Sequence, residues 1–177
     1  MNLKYKFALG VVAFGVMITF AIIAFNFLQE GNEPDSFAEA REQAPNFTFE
    51  DADGNLRQLS DFIGTPVVLN FWASWCPACV VEMPYFNEFY QEYGDRVHFL
   101  KINLADGVRE TQAGVRDFMY ENGFTTPLLF DIDGARAYGV RGIPVTFYID
   151  ADGYAVAMSM GAQDRDRLQQ GLDAILN

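Results

Sequence analysis

The feature that most constrains this chain is the run from Phe7 to Leu28, 22 residues without a charged side chain and with only Thr19 and Asn26 mildly polar. A helix of roughly 20 apolar residues crosses a bilayer core. A core helix of a globular domain would keep one polar face, and this run has none. Lys4 and Lys6 precede it, whereas Glu30, Glu33 and Asp35 follow. The positive-inside rule then places the N-terminus in the cytoplasm and everything after Leu28 outside. Residues 1–28 are thus expected to form a single-pass membrane anchor. The competing reading is a cleaved signal peptide, whose best small-residue site, Ser36-Phe37-Ala38, lies well beyond the apolar run. Either way the body faces the periplasm or the extracellular side.

Gln29 to Ala44 is polar, acidic and interrupted by Gly31 and Pro34. It reads as a linker over 29–44, with a short helical piece near Phe37 to Gln43. The folded domain is expected over 45–177. Half the chain is hydrophobic, including 17 Phe, which is ample for one core. The net charge of −12 repels nucleic acid and anionic headgroups and favours neutral or basic protein partners.

Within the domain, Phe47 to Glu50 and Leu56 to Leu59 flank the turn Asp51-Ala52-Asp53-Gly54 and predict a β-hairpin. Pro66 to Trp72 and Val97 to Asn103 are short, apolar and β-rich, as buried strands are. Cys76 to Tyr93 and Val108 to Glu121 predict helices, the second stopped by Asn122-Gly123. Pro127 to Phe130, Val145 to Ile149 and Tyr154 to Met160 predict strands, Arg136 to Tyr138 a short helix, and Asp164 to Leu176 a closing helix. The order is a hairpin, then β-α-β-α-β, then a hairpin and a helix, giving an α/β sheet with antiparallel edges. Asp-x-Asp-Gly recurs at Asp51, Asp131 and Asp150. A calcium loop needs Gly at its sixth position and a bidentate Glu at its twelfth, so all three predict tight turns.

Chemistry concentrates at Trp75-Cys76-Pro77-Ala78-Cys79, between a buried strand and a helix. The chain's only two cysteines close too small a loop to gain much chain entropy. Their use is therefore chemical. Free N–H groups at the helix start favour a Cys76 thiolate. Cys79, one turn in, is expected to resolve the mixed disulfide, and Pro77 stiffens the first turn without losing a needed donor. A structural zinc would need four ligands, and two Cys with one His, His98, do not supply them. No metal or other cofactor is expected beyond the redox-active disulfide.

These residues carry a resemblance. Val67 to Cys79 (VVLNFWASWCPAC) resembles the active-site strand and loop of thioredoxins, Pro84 stands where thioredoxins kink the following helix, and Tyr138 to Pro144 (YGVRGIP) resembles the segment ending in their cis-proline. The hairpin APNFTFEDADG, the triplet Glu82-Met83-Pro84 and the extra segment from Asp106 to Asp133 are more closely similar to the TlpA/ResA-like branch of exported, membrane-anchored thioredoxins. The resemblance, over about Pro45 to Asn177, implies a thioredoxin fold with an N-terminal hairpin and a central insertion. It implies a cis Ile143–Pro144 bond beside the disulfide, a backbone at Ile143 free to pair with a substrate strand, and Trp75 and Pro77 on the substrate-facing loop.

One departure matters. Where thioredoxins carry a buried Asp six residues before the first Cys, this chain has Asn70, which cannot exchange a proton. Glu82, three residues after Cys79 on the same helix face, is the substitute base for the Cys79 proton, with a pKa expected to be raised by burial. No Lys or Arg lies between Arg57 and Arg96, although Arg141 could approach from the cis-proline loop. The expected activity is dithiol–disulfide exchange with exported proteins. The resemblance implies apocytochrome c as substrate and a membrane thiol-reductant transporter as electron donor. A disulfide donor or isomerase of the same fold, a thiol peroxidase and a copper chaperone are the alternatives.

Overall fold

The computed structural model describes Met17, Thr19 and residues 42–176. The expected anchor and most of the expected linker lie outside the described residues. Among the described residues no helix is long and apolar enough to cross a membrane.

Among the described residues eight strands form one sheet. In chain order they are β1 (Glu42–Gln43), β2 (Thr48–Asp51), β3 (Leu56–Gln58), β4 (Val67–Trp72), β5 (His98–Asn103), β6 (Leu129–Asp131), β7 (Val145–Ile149) and β8 (Tyr154–Met160). Across the sheet they run β1-β8-β7-β4-β5-β6-β2-β3. Among the described residues only β4–β5 and β5–β6 pair in parallel, and β4 is buried at every position, as expected of a central strand. The helices are α1 (Pro77–Tyr93), α2 (Gln112–Glu121), α3 (Gly134–Ala137) and α4 (Arg165–Leu176), with a 3-10 turn at Leu59–Phe62.

The period of two along the central strands builds two cores. Val67, Leu69 and Phe71 of β4, Leu100 and Ile102 of β5 and the aromatics Phe47 and Phe49 fill one face. On the other, Val68 and Phe99 meet Phe86 and Phe89 of α1 and Leu168 and Leu172 of α4. A third cluster, around Trp72, Met83, Val115 and Phe130, encloses both cysteines.

Three expectations are corrected. Glu42 and Gln43, placed in a helical piece of the linker, form an edge strand paired with Ala155 and Tyr154. Next to them Ala44 is buried and its N–H bonds the Gly153 carbonyl at 2.9 Å. Pairing with the sheet therefore includes residues before Pro45. The second helix starts at Gln112, not Val108. The Asp106 carboxylate takes the N–H groups of Val108, Arg109 and Glu110 at 2.9, 2.7 and 3.1 Å. They are thus spent in a turn, and Thr111 caps the helix through Gly114 N–H. Of the Asp-x-Asp-Gly motifs, those at Asp51 and Asp150 close hairpins with Gly54 and Gly153 at φ 86°. The third leads from β6 into α3. Its Asp131 carboxylate receives Ala135 N–H, and its Asp133 carboxylate receives Thr48 N–H at 2.8 Å.

Gly171 brings α4 onto the sheet. A Cβ there would overlap the ring of Tyr148, itself fully buried. Ordinarily Gly→Ala in a helix stabilises by roughly 0.5–1 kcal/mol. Gly171→Ala is instead expected to destabilise by about 1–3 kcal/mol through overpacking, read as a lowered urea midpoint with unchanged m-value.

Candidate active site

Cys76 is the N-cap of α1 and Pro77 its first residue. Cys76 and Cys79 are disulfide-bonded with Cα atoms 5.2 Å apart. Cys79 N–H donates to Cys76 Sγ at 3.3 Å, the contact a thiolate at a helix start would strengthen. Cys76 keeps 6% exposure and Cys79 none, so Cys76 is the more accessible member of a largely buried pair. Trp75 and Pro77 are exposed on either side of Cys76. The Ile143–Pro144 bond is cis, and Cys76 Sγ lies 3.6 Å from the Ile143 carbonyl oxygen. All the expected loop residues therefore meet in one place. Beside them a groove of about 430 Å³ is lined by Tyr138, Val140, Ile143, Pro144, Phe147 and Met158 among others.

Behind the disulfide lies a polar row in the middle of the sheet. Asn70 on β4 is in register with Lys101 on β5 and Thr146 on β7, so the three side chains stand abreast on the face covered by α1. Asn70 Nδ2 donates to Thr146 Oγ1 at 3.0 Å and to Glu82 Oε1 at 2.9 Å, while Asn70 Oδ1 accepts from Lys101 Nζ at 2.8 Å. Glu82 descends from α1, fully buried, and its second oxygen receives Gln163 N–H at 3.1 Å. Lys101 Nζ is 4.0 Å from Glu82 Oε1 and sits over the Phe86 ring, 3.8 Å from its centroid. Asn70 thus connects the two charges that its inability to titrate leaves in place. Burial raises the Glu82 pKa, opposed by Lys101 and by the donors from Gln163 and Asn70. Burial pulls Lys101 down to about 8, opposed by Glu82. The direction for Glu82 is the one expected from its burial.

Several residues here escaped the sequence reading. Lys101, Thr146 and Gln163 belong to the buried network. Glu110, 4% exposed, accepts Ser74 N–H on both oxygens at 2.9 Å and Asn103 Nδ2 at 2.7 Å. The cation set against the loop is Arg109, whose guanidinium carbon lies 3.5 Å from the Trp75 ring centroid. A lysine inside an apolar strand was the one available signal. His98, expected to be a strand residue, starts β5 edge-on to Phe62 with its pKa lowered, first by burial and then by Arg57.

Residues 40–158 match the AhpC/TSA family. The chain is 33% identical over 163 residues to the thiol-disulfide oxidoreductase ResA of Bacillus cereus (strain ATCC 10987 / NRS 248), covering 90% of this chain and 92% of that one. Among solved structures it is similar to a Chlorobium tepidum protein designated a thiol:disulfide interchange protein DsbE, with TM-score 0.68 and 30% identity over 77% of this chain and 97% of that one. It is also similar to the exposed lipoprotein thioredoxin Etrx1 of Streptococcus pneumoniae strain TIGR4, with TM-score 0.62 and 31% identity over 72% and 98%.

The buried pair makes stability depend on pH in two directions. With its folded pKa raised, Glu82 holds a proton that the unfolded chain has already released, so its contribution falls as pH climbs above the ordinary Glu value of 4.5. Lys101 is the reverse. Above about pH 8 the folded state has lost a proton that the unfolded lysine keeps up to 10.5, so stability climbs with pH. That climb ends when tyrosines ionise in the unfolded chain, because burial raises Tyr138 and Tyr148 in the folded state. Lys101→Met is expected to abolish the alkaline climb and to cost about 3 kcal/mol at pH 7 by stranding Glu82, measured by urea unfolding from pH 6 to 9.5.

Proposed function

Because the chain belongs to the AhpC/TSA family and, within it, to the TlpA/ResA-like thiol–disulfide oxidoreductases, we propose that it is an extracytoplasmic reductant of disulfides in exported proteins, apocytochrome c among them. The observation that carries the exchange chemistry is the pairing of a partly open Cys76 with a sealed Cys79 at the start of α1, facing the Ile143 carbonyl. Support for an exported location comes from the uncharged run Phe7 to Leu28 and the lysines before it. In this reading residues 1–28 anchor the protein, the N-terminus lies in the cytoplasm, and residues 29–44 tether the domain.

The proposed exchange begins at Cys76 and ends at Cys79. A substrate strand pairs with the backbone at Ile143 across the loop formed by Trp75 and Pro77. The Cys76 thiolate attacks one sulfur of the substrate disulfide, forming a Cys76–substrate bond and releasing the other substrate sulfur as a thiolate that takes up a proton. Cys79 passes its proton to the Glu82 carboxylate and attacks Cys76 Sγ. The Cys76–Cys79 disulfide closes, the second substrate thiol leaves, and two electrons have moved to the substrate. A raised pKa suits Glu82 to this task, because a base near the working pH both accepts and returns a proton. No cofactor other than the cysteine pair takes part. The outside lacks a strong reductant, so a membrane thiol-reductant transporter restores the dithiol.

The test uses the reduced full-length chain with a disulfide-bonded CxxCH peptide of apocytochrome type. Cys79→Ser is expected to accumulate a mixed disulfide through Cys76, and Cys76→Ser to accumulate none. Glu82→Gln is expected to leave the first attack intact and to slow release about 100-fold. A reduction potential near that of thioredoxin, about −270 mV, supports the reductant. One near about −120 mV marks a disulfide donor and removes the apocytochrome reading.

A further inference from the structure

Two charges that the exchange steps do not use flank the redox loop on its other side. Both come from the Asp106–Glu110 turn, which the Asp106 carboxylate stiffens through three backbone N–H groups. Arg109 is exposed, and its guanidinium carbon lies over Trp75, 3.5 Å from the ring centroid. Glu110 is buried and takes Ser74 N–H on both carboxylate oxygens. Ser74 and Trp75 are the two residues before Cys76, so the Ser74 and Cys76 Cα atoms are at most about 7 Å apart. Both charges are thus fixed to the two residues that lead into Cys76, Glu110 through Ser74 N–H and Arg109 over the Trp75 ring.

We propose that Arg109 and Glu110 are positioning residues that hold the Ser74–Trp75 backbone and bias the Cys76 sulfur with opposite electrostatic sign. The guanidinium favours the thiolate and the carboxylate opposes it. Glu110 is screened less because it is buried. Other charges near the site are Glu82 and Lys101, 4.0 Å apart beneath α1, and Arg141, which lines the groove beside Ile143 and Pro144; neither Gln substitution changes them. The tuning role rests on Cys76 being the attacking sulfur.

A purely structural clamp and a charged one separate by sign. The experiment takes the full-length Cys79→Ser chain and follows Cys76 alkylation by iodoacetamide, a neutral reagent, against pH. Arg109→Gln is expected to raise the Cys76 pKa by about half a unit and Glu110→Gln to lower it by about half a unit. At pH values below the pKa these shifts read as a roughly three-fold slower and a roughly three-fold faster reaction. Arg109→Lys keeps the charge and is expected to stay near the parent, and the double Gln variant to return towards it. Shifts of the same sign in both single variants, or none in either, overturn the proposal, with thermal unfolding confirming that each variant is folded. Mixed-disulfide capture by the parent Cys79→Ser chain tests the attack order by itself. Its failure would refute that order without touching the measured shifts.

Discussion

Everything at the centre of this domain depends on how a carboxylate and an ammonium are kept in a place without water. Glu82 and Lys101 are both fully buried. An isolated charge there would be costly enough to change its protonation state. The sheet answers with a neutral side chain between them. Asn70 faces Lys101 with its oxygen and Glu82 with its nitrogen, so each charge meets the end of the amide that suits it. Gln163 and the Phe86 ring complete the shell. A titrating residue at position 70 would put another ionisable group between Glu82 and Lys101; the amide adds none.

The site is then a consequence of where helix and sheet meet. Capping by Cys76 fixes the first turn of α1. One turn later the helix drops Cys79 and Glu82 onto the sheet, and its middle packs Phe86 and Phe89 into the core. The loop before Cys76 is held from below by Glu110. Two buried carboxylates therefore bracket the disulfide. The Glu82 side is coupled to a cation and to the sheet, whereas the Glu110 side is coupled to the backbone of the loop and to Asn103.

Much of this was legible in the residue order, and the exceptions have physical causes. Val145–Ile149 and Tyr154–Met160 were read with their observed ends, because a tight Asp-Gly turn and a β-rich pattern bound them on both sides. Local spacing put Cys76, Cys79 and Glu82 on one helix, as they are, whereas the cis Ile143–Pro144 bond was expected from the resemblance to thioredoxins. Lys101 and Thr146 were not, because cross-strand register, a long-range property, puts them beside Asn70. Glu110 looked like the first turn of a helix. What hid it was Asp106, which diverts three N–H groups into a turn by a side-chain bond that no periodicity reveals. The strand at Glu42–Gln43 was hidden too, since its partners lie more than a hundred residues away on β8 and its two residues are exposed and polar.

The row Thr146–Asn70–Lys101 also acts as a ratchet tooth for assembly of the sheet. Strands of nearly uniform apolarity, such as VVLNFW and VTFYI, could slide past one another with little change in buried area. A slip of one residue on β5 would send Lys101 through to the opposite face, among Phe49, Leu69 and Ile149, where no carboxylate awaits it. A slip of two would keep the face but separate it from Asn70. Only one alignment of the three central strands closes the hydrogen bonds, so the polar row beneath α1 also tells the strands where to stop.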